Sequence, residues 1–217
     1  VLTSTRPARG FSIIELMVAV ALIGVLTALG LPAIGNWMAD TRLRAAAESL
    51  ANQLRLAQAT AVTRNRVTML VSTNATAAYN ALPAANGLRW MVLVDPLSSE
   101  TWAAATATDP GSMISSSGEA TQHNISVAGP AVVCFNSLGQ QTANLTTALP
   151  SNTACATPGT SDLATASSTK ASALITTYEL TRSGAQRTFR VLVYSGGRVR
   201  MCDALKTLSA TNPDGCP

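Results

Sequence analysis

Residues 10–34 read G-F-S-I-I-E-L-M-V-A-V-A-L-I-G-V-L-T-A-L-G-L-P-A-I, and their reading decides the rest. From Leu16 to Ile34 nineteen residues pass without a charge. At ~1.5 Å of rise per residue, such a run as a helix nearly crosses the hydrocarbon core of a bilayer. The ten residues before Phe11, V-L-T-S-T-R-P-A-R-G, are polar and basic, and Arg6 and Arg9 there predict a cytoplasmic N-terminal side. A secretory signal peptide fits poorly, because the run is long for one and no A-x-A-like cleavage site follows it. Glu15 is odd for a plain anchor. A carboxylate at the centre of a membrane helix costs ~2.5–3.5 kcal/mol and less near the interface, so this one calls for a partner.

Beyond Pro32 the pattern turns amphipathic. Leu43, Ala47, Leu50, Leu54, Ala57 and Ala61 recur at spacings of three and four and make one apolar stripe. Asp40, Arg44 and Glu48 lie off that stripe at i,i+4 spacing, suited to ion pairing. A single helix from Ser12 to Thr63 is expected, about 78 Å long. The stripe is ordinary core packing and implies no ligand.

The remaining chain reads as strands and loops. Apolar or β-branched runs occupy 67–72, 88–94 and 131–135. The strongest sheet signal is late: 173–180, a turn at 182–184, 188–194, a Ser-Gly-Gly turn at 195–197, then 198–201. That pattern predicts a three-stranded antiparallel meander. The Ser/Thr/Ala/Asn-rich stretches 101–122 and 136–170 are expected to be long loops.

Composition narrows the function. Only 12% of the 217 residues are charged, about half of what a typical globular domain carries. The net charge is +4, and about +2 without the first ten residues, too little by itself to imply nucleic-acid binding. Its distribution says more. Between Met91 and Thr169 lie five acids and no Lys or Arg, whereas from Arg182 to Lys206 there are six bases and one acid, Asp203. Cys134, Cys155, Cys202 and Cys216 form no C-x-x-C, and the lone His123 is far from all of them, so a metal site is not expected. An even count in an exported chain implies two disulfides, with three connectivities open. Local pairing, Cys134–Cys155 and Cys202–Cys216, is preferred because each bond closes a short turn-rich loop. No nucleophile–base pair, phosphate loop or paired carboxylates appear, so neither an enzyme nor a cofactor is expected.

G-F-S-I-I-E-L resembles the prepilin peptidase recognition sequence of type IV pilins and type II secretion pseudopilins. The resemblance implies cleavage between Gly10 and Phe11, N-methylation of Phe11, and pairing of Glu15 with the free amine of a neighbouring subunit. An amine beside a carboxylate removes both buried-charge penalties together. Pro32 stands where pilins usually carry a helix-perturbing proline, which removes a backbone donor and lets the helix bend or locally melt. The stem R-L-R-A-A-A-E-S-L-A-N-Q-L-R-L-A-Q-A-T-A-V-T-R-N (42–65) and the segment S-G-G-R-V-R-M-C (195–202) look like the FimT/GspH branch, whose heads are β-rich. The middle, from about Asp95 to Lys170, matches nothing in that branch and is longer than usual.

The implied fold is α+β and type IV pilin-like. It comprises a leader (1–10), a hydrophobic membrane and filament-core helix (11–37), an amphipathic continuation (38–64) and a β-rich antiparallel head (65–217). The implied route is the bacterial inner membrane with the head in the periplasm, then a pilus fibre at the cell surface. Partners would be the prepilin peptidase and other minor and major pilins. The role would be that of a minor pilin in assembly, priming or the tip complex; a GspH-like minor pseudopilin of type II secretion is the close alternative. Gly197-Arg198-Val199-Arg200 also resembles the G-R-x-R motif tied to DNA binding in some FimT proteins. Arg198 and Arg200, two apart on an extended segment, would share one face. With Arg187, Arg190 and Lys206 they make a candidate site for double-stranded DNA during natural transformation, salt-dependent and blind to sequence. FimU-like subunits carry similar G-R-V-R ends, so the motif alone does not choose between these roles.

Overall fold

A computed structural model of the chain describes residues 12–78, 81–94, 113–143, 153–158 and 175–217, with the side chains of all of these but 29–34, 119 and 122. The expected cleavage and methylation positions, Gly10 and Phe11, lie outside the described residues.

One helix, α1 (Ile13–Arg64), runs for 52 residues. It stops where Asn65 takes a left-handed conformation (φ 51°) and the Asn65 and Arg66 amides donate to Val62 and Ala61 carbonyls. A reversal of that kind satisfies carbonyls that the last turn leaves open. The helix has two halves. Every described side chain from Ile13 to Ala28 is exposed. From Ala39 onward one face is buried, with Leu43, Leu50, Leu54, Ala57 and Ala61 at zero exposure. Among the described residues no helix is long and apolar enough to cross a membrane. The expected span is described only in part, since the side chains of 29–34 fall inside it. Pro32 lies within the helical run.

Two five-stranded sheets flank the buried face. The first has the order β3-β2-β1-β5-β6, from β1 (Thr68–Thr73), β2 (Arg89–Val94), β3 (Met113–Ser117), β5 (Val132–Phe135) and β6 (Gln141–Thr142). The second is β10-β9-β8-β7-β4, from β4 (Ile125–Ala128), β7 (Ile175–Arg182), β8 (Phe189–Tyr194), β9 (Val199–Thr207) and β10 (Gly215–Cys216). The meander β7-β8-β9 stands as read from the sequence, but it is the centre of a larger sheet. β4 pairs antiparallel with β7, and β10 runs parallel to β9.

The main core lies between α1 and the facing sides of both sheets and includes Leu50, Leu54, Leu70, Trp90, Phe135, Tyr178 and Val191. A second cluster, with Met69, Val71, Met91 and Leu93, covers the other face of the first sheet beside Cys134 and Cys155. β1 is therefore buried on both faces along its whole length, as its unbroken apolar centre requires.

Stretch 101–122 is not all loop. β3 and the one-turn helix α2 (Glu119–Gln122) fall within it. M-I-S-S-S has little intrinsic strand character, and its conformation is set by tertiary partners. β3 pairs with β2, while Ser115 and Ser117 meet Gln53 and Ser49 of α1 at 2.9 and 3.2 Å. Stretch 136–170 likewise contains β6, paired with β5. On α1, Arg44 and Glu48 form the expected i,i+4 pair at 2.8 Å. Asp40 does not join them; its carboxylate accepts the amides of Gln186 and Arg187 and ties the β7–β8 turn to the stem.

Candidate functional site

The two disulfides are local. Cys134 is bonded to Cys155, and Cys202 to Cys216. The second pins β10 beside β9, and with Leu192, Ile175, Tyr194 and Ala204 it makes a small apolar cluster on the outer face of the second sheet.

The G-R-V-R segment borders that cluster. Gly197 closes the β8–β9 turn at φ +87°, a left-handed conformation that favours glycine. Val199 packs inward opposite Val193, so Arg198 and Arg200 flank a buried residue and project away from the core. The guanidinium of Arg198 stacks over Tyr194, 4.6 Å from the ring centroid, and stays exposed. Arg200 is half-buried, and its Nη2 donates to the carbonyls of Pro213 at 3.0 Å and Gly215 at 2.9 Å. It therefore clamps the C-terminal strap that the Cys202–Cys216 bond closes.

The other three candidate cations are not gathered around this pair. Arg190 on β8 stands opposite Glu179 on β7 in register, and its Nε meets that carboxylate at 2.7 Å. Lys206 lies near the far end of β9, ~20 Å along the strand from Arg200 at ~3.3 Å per residue. Its ammonium holds Asp214 at 2.6 Å. That hydrogen bond, with a weaker pull from the charge of Arg187, keeps the Asp214 carboxyl below its ordinary value. Arg187 sits in the exposed β7–β8 turn, its amide on Asp40. Of the five cations, Arg198 carries the exposed charge next to the motif.

Sequence reading overlooked a wall of the same region. A cleft of about 450 Å³ opens between α1 and β9, lined on one side by Glu48, Asn52 and Arg55 and on the other by Val199, Arg200 and Met201. Residues 48, 52 and 55 follow helical i,i+4,i+7 spacing, which could have flagged a shared face. Which strand that face would meet was not readable. Among the described residues, no group of three or more His, Cys, Asp and Glu could hold a metal ion. His123 is half-buried at the end of α2.

Two family models match the chain. Residues 5–31 match the prokaryotic N-terminal methylation motif, and residues 46–197 match the family of the type II transport protein GspH. Two crystal structures of the Pseudomonas aeruginosa (strain PAO1) type IV minor pilin FimU are similar at 13% sequence identity. The one in space group P21 has a TM-score of 0.45 over 74% of this chain and 88% of that one. The one in space group P65 has 0.42 over 73% and 90%. Among curated proteins none matches.

Proposed function

Because this chain belongs to the GspH family of type II transport proteins, we propose that it is a minor subunit of a type IV pilus. The observation that carries this reading is the division of α1 into two halves on one continuous rod. The exposed apolar side chains from Ile13 to Ala28 need a cover that none of the described residues supplies, whereas the face from Ala39 to Ala61 is already covered by the head. A lipid bilayer covers the first half before assembly, and the same segments of neighbouring subunits cover it in the fibre. The methylation motif at 5–31 supports the processing step that joins these two states. Prepilin peptidase cuts after Gly10, Phe11 becomes the methylated terminus, and its amine pairs with Glu15 of a neighbour. Pro32 removes a backbone donor where the stem must adjust on packing.

The test is a Glu15→Ala variant expressed beside the remaining pilus subunits. Sheared fibres should contain at least roughly tenfold less of the variant than of the wild type, at equal membrane abundance, as expected when a buried charge loses its partner. Equal incorporation would end this reading. If the wild type is absent from pili but its loss blocks type II secretion, the fibre in question is a pseudopilus.

The exposed Arg198 favours a second role, contact with double-stranded DNA during uptake. Arg190 and Lys206 drop out of that role, since each spends its charge on an internal carboxylate. Arg200 belongs to it only partly. Reversing its charge would release the Pro213 and Gly215 carbonyls, so loss of binding in an Arg200→Glu variant would not by itself identify a DNA contact. Arg198→Ala is the cleaner probe.

A further inference from the structure

We propose that the base of the head, where the β7–β8 turn and the end of β9 meet the stem near Trp37, is seated in the phospholipid headgroup layer before assembly. This rests on the membrane-anchored stage of the reading just given, and it assigns a lipid contact to the head as well as to the stem.

The length of the stem carries it. No charged residue intervenes between Glu15 and Asp40, and α1 runs unbroken through both. Trp37 follows Glu15 by 22 residues, which is ~33 Å of helix. The hydrocarbon core of a bilayer is ~30 Å thick, with a headgroup layer on either side. A helix that keeps Glu15 at the cytoplasmic boundary therefore brings Trp37 to the opposite one. An indole is favoured there, because its ring is apolar and its N–H reaches polar headgroups. Trp37 is 70% exposed, whereas a tryptophan in a folded protein is on average well buried.

The head comes down to the same level. Asp40 lies three residues beyond Trp37, ~5 Å along the axis and on the same side of the helix. Its carboxylate accepts the amides of Gln186 at 2.8 Å and Arg187 at 3.2 Å. The next carbonyl, that of Thr188, accepts the amide of Ala204 at 2.8 Å. These three bonds hold the β7–β8 turn and the end of β9 beside the stem just above Trp37. Leu205, the residue after Ala204, is 68% exposed, and Leu208 is exposed beyond it. Lys206 spends its charge on Asp214. Arg187 is exposed, and among the described residues no ion pair holds it. Apolar groups and a guanidinium at one level suit the boundary where acyl chains end and phosphates begin.

A protein partner would also cover the apolar residues, but it would not account for their level, which stands one bilayer thickness from Glu15. Seated in this way, the head keeps one orientation on the membrane. Its distal turn at Gly139, bonded to Gln58, is then ~30 Å farther along the stem than Trp37. Entry into a fibre requires the base to leave the headgroups together with the stem.

The experiment is tryptophan fluorescence of the full chain in phospholipid vesicles whose acyl chains carry bromine, a short-range quencher, just below the headgroup. Trp37→Phe removes one reporter and leaves the other tryptophans as a constant background. Leu205→Trp and Leu138→Trp are each made in that background, the first at the base of the head and the second beside Gly139; both leucines are exposed. The Trp37 and Leu205→Trp signals should each fall by roughly half, and the Leu138→Trp signal by less than about a tenth, given the ~30 Å between base and distal turn. All variants should melt as the wild type does; Leu208→Trp repeats the test where Leu205→Trp melts lower. Quenching of Trp37, with no more at Leu205→Trp than at Leu138→Trp, would overturn the seat and leave the membrane-anchored stem standing. No quenching of Trp37 would overturn the seat together with the membrane stage on which it rests. Strong and equal quenching at Leu205→Trp and Leu138→Trp would also overturn it, because the head would then lie on its side.

Discussion

Gly197→Ala is expected to destabilise the chain by at least ~3 kcal/mol, enough to unfold much of it at physiological temperature. A Cβ at this position would stand 1.8 Å from the carbonyl oxygen of Gly139 and 2.5 Å from Gln58 Nε2. Gly139 is itself left-handed, at φ +77°, and its carbonyl accepts from Gln58 at 3.1 Å. The junction therefore joins three parts: the β8–β9 turn of the second sheet, the β5–β6 turn of the first, and the stem. Gln141 bonds directly across the sheets there, its backbone amide donating to the Ser195 carbonyl at 3.0 Å and its Nε2 to Thr176 Oγ1 at 2.6 Å. Gly184 gives the comparison that separates conformation from contact. It has nearly the same φ, +81°, but nothing stands within 4 Å of its Cβ position. Gly184→Ala should cost only the ~1–2 kcal/mol of a left-handed non-glycine residue. Urea denaturation in detergent, read by tryptophan fluorescence, gives both values. Similar losses for the two variants would mean that the crowding at Gly197 does not matter. The first letter of G-R-V-R is thus a requirement of the fold, and any effect of changing it on binding reflects that.

Leu54→Ala should cost ~2–5 kcal/mol, the usual range for a buried leucine that leaves a cavity. Leu54 is fully buried between the stem and both sheets. Leu56, two residues on, is 37% exposed on another face of the helix. Leu56→Ala should cost less, about 1 kcal/mol, because over a third of its surface already meets water and truncation there leaves no enclosed cavity. The same denaturation assay decides it. Equal effects would mean that the head does not grip the stem through the face described.

What the sequence made legible, and what it hid, divide along one physical line. The stem's apolar stripe was visible because a helix repeats its face every three to four residues, and every residue of the stripe named from sequence is buried. The late meander was visible because Ser-Gly-Gly and Arg-Ser-Gly mark its turns. β3 was hidden because M-I-S-S-S holds its strand conformation through β2 and the serine contacts to Ser49 and Gln53, all distant in sequence. The parallel strand β10 is two residues long and depends on the Cys202–Cys216 bond beside it.

Much the same holds for the candidate site. The basic character of 182–206 was plain from composition, but which of its charges are spent was not. Glu179 neutralises Arg190 only once the β7–β8 register sets them opposite each other. Asp214 reaches Lys206 only when the C-terminal strap folds back along β9. Arg55 comes to line a cleft with Val199 and Met201 through helix-on-sheet packing, which no local pattern announces.

The central claim is that this chain is processed into a fibre subunit, and its N-terminus tests that claim most directly. The measurement is the mass of the N-terminal peptide of the chain recovered from sheared fibres, with a peptidase-deficient strain for comparison. The account predicts a peptide that begins at a methylated Phe11 in the fibres, and an uncut chain confined to the membrane without the peptidase. A chain that keeps Gly10 and the residues before it in cells with active peptidase would contradict the account.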